Sequence, residues 1–162
     1  MPWFVPRSVS LGVFVNAPMV TPHFRLAWEA PIIAQPRNHF IWTVALGSGV
    51  GLGVQSPMTE HYQHTAIAGL GYRSDRELVH WGFHVGAGGT WYRAAYKPGS
   101  IYSFENRVVG YIEGRLQLGL RITERLKLAL YFGYGSPFVF NRVFPGNTFV
   151  GGVDAGLVLD WR

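Results

Sequence analysis

The sequence predicts an all-β fold, an eight-stranded antiparallel up-and-down transmembrane β-barrel, and three observations support this prediction. Apolar and polar residues alternate with a period of two in nearly every segment. Charged residues make up only 14% of the chain, whereas soluble domains hold about 25%. No segment reaches the ~20 unbroken apolar residues of a membrane helix. The chain of 162 residues is expected to form one domain, residues 1–162.

The clearest alternation lies in residues 107–121. The even positions carry Gly110, Ile112, Gly114, Leu116, Leu118 and Leu120, and the odd positions carry Tyr111, Glu113, Arg115, Gln117 and Arg121. Successive side chains of a strand point to opposite faces, so this ribbon has one apolar face and one face with ionised groups. A closed barrel with lipid outside and the charges in its lumen satisfies both faces.

The same alternation marks eight strand candidates in chain order. They are residues 8–16, 23–33, 39–54, 64–73, 77–93, 107–121, 125–136 and 149–162. Their predicted outward rows begin with Val9, Phe24, Phe40, Ala66, Val79, Val108, Leu126 and Val153. Pro31 conflicts with its strand, because proline removes a ladder hydrogen bond and a barrel has no free edge. We interpret it as a bulge or a strand end.

The predicted connections alternate in length. Short polar turns are expected at residues 35–38, 74–76 and 123–124, and longer loops at 16–22, 55–63, 94–106 and 141–148. Bacterial transmembrane barrels have short turns on the periplasmic side and longer loops outside. The pattern therefore predicts that both termini are periplasmic. Residues 1–7 show no export signal, so we expect the numbering to begin after a removed signal.

The outward aromatic residues are predicted to form two belts, one at each membrane interface. The belt near the short turns comprises Trp42, Tyr72, Trp81 and Trp161, and the belt near the longer loops comprises Phe24, Trp91, Tyr134 and Phe149. A soluble barrel has no reason to sort its external aromatic residues in this way.

Residues 154–161, Asp-Ala-Gly-Leu-Val-Leu-Asp-Trp, resemble the carboxy-terminal assembly signal of bacterial outer-membrane barrels. The aromatic residue usually ends that signal, and here Arg162 follows it. Over residues 8–162 the pattern is similar to the small OmpX, OmpA-barrel, Ail and OmpW class. The resemblance implies a location in the bacterial outer membrane. It also implies contacts with membrane lipid, lipopolysaccharide, the barrel-assembly machinery and other surface proteins.

The inward positions hold a polar set that we predict to fill the lumen. Its members are Arg25, Glu29, His80, His84, Glu113, Arg115, Gln117, Arg121, Lys127, Asp154 and Asp160. The interior of an eight-stranded barrel is just wide enough for side chains to fill it. Since buried charges must be paired, the acids are expected to pair with the basic groups and close the lumen.

Two groups of histidines are weak candidates for metal binding. His80 and His84 share a face but lie about 13 Å apart along the strand, too far to hold one metal directly. His61 and His64 fall in a predicted loop with Glu60, where a polar loop is the simpler interpretation. Cysteine is absent. We therefore predict no metal site and no cofactor.

The rival class is an outer-membrane barrel that binds, carries or modifies a lipid or small hydrophobic ligand. The deacylases of this class have a His-x-Ser motif, which the chain lacks, so no catalytic residue is assigned. Inward glycines could open an acyl-chain cavity or make room for Tyr111, Tyr131 and Arg115; they are Gly47, Gly49, Gly51, Gly69, Gly71, Gly82, Gly86 and Gly88. A soluble ligand-binding barrel with its two faces reversed is a further alternative.

Basic residues near the longer loops are candidates for contact with lipopolysaccharide phosphates. They are Arg93, Lys97, Arg107 and Arg142, and the planar guanidinium suits such phosphates. The net charge is +5, but the basic residues are dispersed and form no run. Nucleic acid is therefore not an expected partner.

Overall fold

The computed structural model describes residues 5–16, 19–53, 58–138 and 149–161. Eight strands account for most of them: β1 (Ser8–Asn16), β2 (Met19–Ala34), β3 (Asn38–Val50), β4 (Met58–Asp75), β5 (Val79–Tyr96), β6 (Phe104–Arg121), β7 (Leu126–Pro137) and β8 (Gly152–Trp161). Each strand pairs antiparallel with the next, and β8 pairs with β1, which closes the barrel. The predicted eight-stranded up-and-down barrel is confirmed.

The two faces of the strands separate as the alternation requires. In β7, Lys127, Ala129 and Tyr131 are buried inside the barrel, while Leu128, Leu130 and Phe132 are exposed on its outer surface. Leu130 is 67% exposed and Lys127 only 3%. This is the reverse of a soluble protein, in which the charged side chain would face the solvent. In the described part of the chain, no helix is long and apolar enough to cross a membrane.

Two ends of the barrel can be distinguished by their connections. The turn end holds residues 35–37, 76–78 and 122–125, and the loop end holds residues 97–103 together with residues 51–53 and 149–151. The predicted long loop over residues 16–22 is wrong, because β2 begins at Met19 and Pro22 pairs with Val13 of β1. Pro22 has no backbone N–H to donate, which is why a loop was predicted here. The strand tolerates the proline nevertheless.

Strand β4 also starts earlier than the sequence predicts. It begins at Met58 rather than at residue 64, so His61 and Gln63 lie in the barrel wall and not in a loop. A polar stretch can form a strand here because its backbone pairs with β5. Strand β5 ends at Tyr96 and strand β6 begins at Phe104. The predicted loop 94–106 is therefore shorter in the structure.

Two register shifts interrupt the ladders. One lies between Pro31 and Ile33 in β2. Of the two interpretations of Pro31, this agrees with the bulge and not with a strand end, because β2 continues to Ala34. The other lies between Met58 and Glu60 in β4. A bulge adds one residue to one strand and changes the face to which the following side chains point.

Candidate functional site

Side chains that point into the lumen form three tiers, and the lowest tier lies near the turn end. Arg73 of β4 binds two carboxylates there, Glu29 of β2 at 3.0 Å and Asp160 of β8 at 3.2 Å. Beside it, the Nζ of Lys127 lies 2.6 Å from Asp75. All of these side chains are largely buried. Arg73 and Asp160 join β4 to β8 on the opposite side of the barrel, so this tier bridges the lumen.

The middle tier is centred on Glu113 of β6. Arg25 of β2 donates a hydrogen bond to this carboxylate across the lumen. The Nε of Arg115 lies 3.6 Å from Glu113, and its guanidinium also binds Asp154 at 2.7 Å. His84 lies 3.4 Å from Glu113 through its Nδ1. Two arginines and two acids therefore balance one another, as burial of charge requires.

Tyr131 of β7 links this tier to β1 and β2. Its hydroxyl donates to Asp154 at 2.9 Å and lies 3.1 Å from Nε2 of His23. The guanidinium of Arg115 lies over its ring, 4.8 Å from the centroid, in cation–π geometry. Gly12 makes room for the hydroxyl, because a Cβ at this position would overlap it.

The upper tier, near the loop end, is mostly apolar. We call it the upper cluster, and its buried members are Met19, Met58, Ile67, Tyr92, Ala94, Tyr96, Val109, Tyr111 and Val150. Glu105 lies among them and accepts hydrogen bonds from the hydroxyls of Tyr92, at 2.8 Å, and Tyr96, at 2.6 Å. His61 stacks against Tyr92, with ring centroids 6.1 Å apart.

The described residues enclose a small cavity between the tiers. A cavity of about 70 Å³ lies beside Glu29, Thr43, Arg73 and Gln117. It can hold a few water molecules, whereas ligand pockets usually measure about 300–1,000 Å³. The inward glycines of β3 to β5 are matched by neighbouring side chains: His84 lies against Gly69 and Gly86, and His61 and Met19 lie against Gly51. The space they make is taken largely by these residues.

The structure places the predicted lumen residues at inward positions. The four acids Glu29, Glu113, Asp154 and Asp160 each contact an arginine. Gln117 lines the cavity, and Arg121 is half-buried at the turn end. His80 is buried 3.9 Å from Asp160.

Sequence reasoning missed three members of the lumen network: His23, Arg73 and Asp75. All three lie at inward positions of β2 and β4. Arg73 ended the predicted fourth strand, and Asp75 was assigned to a turn. Continuing the alternation of residues 64–73 by one more step would have placed Asp75 inside with Arg73.

The outward aromatic residues are distributed between the two ends of the barrel. Near the turn end, the Tyr72 ring centroid lies 5.4 Å from that of Trp81 and 5.2 Å from that of Phe40, and Trp42 and Trp161 lie on the same outer surface. Near the loop end, Phe24, Trp91 and Tyr134 face outward. Phe149 does not join them: it packs against the upper cluster, because β8 begins only at Gly152.

The four basic candidates do not form one group. Arg93 faces outward near the loop end with its guanidinium 5.1 Å from the ring centroid of Phe104, and Lys97 is exposed in the β5–β6 connection. Arg107 is exposed but lies in the inward phase of β6, opposite Tyr92. Arg142 lies outside the described residues.

The candidate group of His61, His64 and Glu60 does not lie in a loop. All three are in β4, where His61 is buried inside and His64 is exposed outside. Among the described residues, no group of three or more His, Cys, Asp or Glu is arranged to hold a metal. His64 instead stacks against Trp91, with centroids 5.1 Å apart.

The outer surface has an apolar groove of about 540 Å³ around these two rings. Phe24, Leu46 and Val108 line it, and the small residues Ala66 and Gly89 lie at its base. The register also places Ser48 of β3 opposite His64 on this face, a pair that sequence reasoning did not identify. No hydrogen bond between the two side chains is found in the described part of the structure.

The fold resembles those of solved outer-membrane barrels. Ail, the attachment invasion locus protein of Yersinia pestis, matches with a TM-score of 0.56 and 12% identity over 94% of this chain and 91% of its own. Neisserial surface protein A matches with a TM-score of 0.57 and 12% identity over 96% of this chain and 94% of its own. No family model and no curated protein sequence matches the chain. At the level of fold, the chain is a small eight-stranded barrel of the outer-membrane type.

Proposed function

We propose that this protein is an integral, non-catalytic protein of the bacterial outer membrane, with a closed lumen and a structural or surface-interaction role. The observation that supports it most is the inverted distribution of polarity. Leu116, Leu118 and Leu130 are each more than 60% exposed on the outer face, while Arg25, Glu113 and Asp154 are buried inside. Soluble monomers rarely expose apolar patches above a few hundred Å².

The lengths of the strands support a surface role at the loop end. Strands β5 and β6 contain 18 residues each, whereas a spanning strand needs about 9–11. With the short turns on the periplasmic side, the ends of β5 and β6 project beyond the lipid. Arg93 and Lys97 on this hairpin are then available for lipopolysaccharide phosphates and for other surface proteins.

The experiment compares insertion and lipopolysaccharide binding in one system. The protein is refolded into vesicles with and without lipopolysaccharide, and binding is measured at increasing salt. Arg93→Gln with Lys97→Gln should weaken binding, and salt should weaken the wild type. The control pair, Arg76→Gln with Arg125→Gln at the turn end, should bind like the wild type. A protein that stays monomeric in buffer without detergent would contradict the proposal.

A second candidate function is the binding or modification of a membrane lipid. The outer groove of about 540 Å³ favours it, because an acyl chain fits its apolar lining and His64 lies opposite Ser48 at its edge. The interior cavity of about 70 Å³ is too small for such a chain. Release of fatty acid from lipopolysaccharide by the wild type, and its loss in Ser48→Ala, would favour this candidate.

A further inference from the structure

The upper cluster contains soft donor atoms that the proposed function does not use. The chain has three methionines, and Met19 and Met58 are both buried in this cluster, 2% and 5% exposed. His61 lies beside them and is 1% exposed. Thioether sulfur and imidazole nitrogen together are donors that suit Cu(I) rather than hard cations.

The bulge in β4 brings Met58 and His61 to one face. Residues three apart in a regular strand point to opposite faces. Here Met58 pairs with Tyr96 and His61 with Ala94, so the two lie two ladder positions apart and both point inward. The extra residue, Thr59, is what makes this possible. Bulges often re-aim a side chain beside a functional site.

Met19 approaches His61 over a glycine. A Cβ at Gly51 would lie 2.5 Å from the Sδ of Met19 and 3.1 Å from the Nδ1 of His61. The two donor atoms therefore both lie against Gly51, at a position where any side chain would overlap them. The backbone fixes the arrangement, because the N–H of Gly51 donates to the carbonyl of His61 at 2.7 Å.

His61 has a ring nitrogen available to bind a metal, because the neutral imidazole carries one lone pair and one N–H. Neither Nδ1 nor Nε2 of His61 has a hydrogen-bond partner among the described residues. A buried polar group without a partner is costly and calls for an explanation. A bound metal ion supplies one, since it takes the lone pair of a neutral imidazole.

The charge of the surroundings suits a cation. Glu105 is 5% exposed, and its described hydrogen bonds come from two neutral hydroxyls, those of Tyr92 and Tyr96. No ion pair of Glu105 is found within the described ranges. Tyr92 links this carboxylate to His61, because its hydroxyl donates to Glu105 and its ring stacks on the imidazole. A bound monovalent cation would offset the buried negative charge.

We propose that Met19, Met58 and His61 form a binding site for a soft monovalent metal ion, Cu(I), in the upper lumen. Thioethers are also suited to an oxidising compartment, because they cannot be lost to disulfides as thiols are. The site is independent of lipopolysaccharide binding. It adds a metal-binding capacity to the barrel whichever surface role the loops have.

The test uses the refolded barrel in detergent with Ag(I) as a redox-inert probe for Cu(I). Calorimetry should find one equivalent of bound Ag(I), and Zn(II) should not compete. In protein with ¹³C-labelled methionine methyl groups, the signals of Met19 and Met58 should shift on titration, with the Met1 signal as the reference.

Matched variants distinguish the site from general metal adsorption. Met19→Leu, Met58→Leu and His61→Gln each conserve volume approximately, and each should weaken binding by at least the roughly 10–100-fold seen when a supporting residue of a metal site is lost. His64→Gln, on the opposite face of the same strand, should bind like the wild type. Circular dichroism and heat-modifiable mobility verify that each variant folds.

Three results would overturn the proposal. They are the absence of Ag(I) binding by folded wild-type protein, binding that survives when all three residues are replaced, and equal loss in His64→Gln. A high-resolution structure of the wild type soaked in Ag(I) would also overturn it if His61 contacts ordered water and no metal.

Discussion

Arg25 on β2 and Glu113 on β6 form a buried ion pair across the centre of the barrel, although 88 residues separate them in the chain. The two strands are not neighbours, so the pair is a direct contact between opposite walls. Arg115 and His84 approach the same carboxylate, at 3.6 and 3.4 Å. Glu113 is therefore the acid on which the middle tier depends.

Replacement of this acid is expected to destabilise the barrel strongly. Glu113→Gln removes the charge that balances Arg25 and Arg115, and loss of one partner of a buried ion pair costs about 3–5 kcal/mol. The free energy of unfolding in urea, measured in lipid vesicles, checks this. Glu124→Gln, exposed in the β6–β7 turn, is the control and should change stability by less than about 0.5 kcal/mol. Equal stability of the two variants would contradict the central role of Glu113 in the middle tier.

Gly12 is expected to tolerate no side chain. In Gly12→Ala the new Cβ would overlap the hydroxyl of Tyr131 and displace it from Asp154. Overpacking and the lost hydrogen bond should cost about 1–3 kcal/mol. Gly114→Ala is the matched control, because the nearest atom to its Cβ is 4.0 Å away. If both variants unfold at the same urea concentration, the packing around Tyr131 is not as described.

An arginine on the outer face is expected to destabilise the barrel only where that face contacts lipid. Leu130→Arg, in the middle of β7, should destabilise the barrel by about 2–4 kcal/mol in vesicles, the cost of arginine near the bilayer midplane. Ile101→Arg, in the β5–β6 connection and 95% exposed, should have almost no effect. Equal unfolding free energies for the two variants would mean that β7 does not face hydrocarbon.

The filled lumen is expected to carry no ion current. The tiers around Arg73 and Glu113 leave a cavity of about 70 Å³, which does not amount to a channel. Planar bilayers with the inserted protein should show no discrete conductance steps, while a large porin under the same conditions should show them. Regular steps from the pure wild-type protein would show that the lumen opens.

The two faces of the barrel could be predicted because one physical rule determines them. Alternation assigned Leu130 to the outside and Lys127 to the inside without knowledge of the partner strands. It could not locate strand ends such as Met58, because hydrogen bonding to β5 stabilises a segment whose composition is that of a loop. Phe149 was misplaced because β8 begins only at Gly152, so the alternation was extended too far at this end.

The pairing of the lumen residues could be predicted only in outline. Charge balance required partners for Glu29 and Asp160, but the barrel geometry determines that one arginine, Arg73, serves both. The soft donors of the upper cluster could not be found from the sequence. Their placement on one face depends on the bulge at Thr59, and the approach of Met19 to His61 depends on the lack of a side chain at Gly51.

The absence of cysteine allows the most direct test, which is spin labelling of single cysteines along β7 in vesicles. Labels at Leu128→Cys, Leu130→Cys and Phe132→Cys should be accessible to oxygen from the lipid and protected from a water-soluble nickel complex. Labels at the intervening Ala129→Cys and Tyr131→Cys should be protected from oxygen. Equal accessibility of all labels, or outward labels that are accessible to the nickel complex, would contradict the assignment of the apolar face to hydrocarbon.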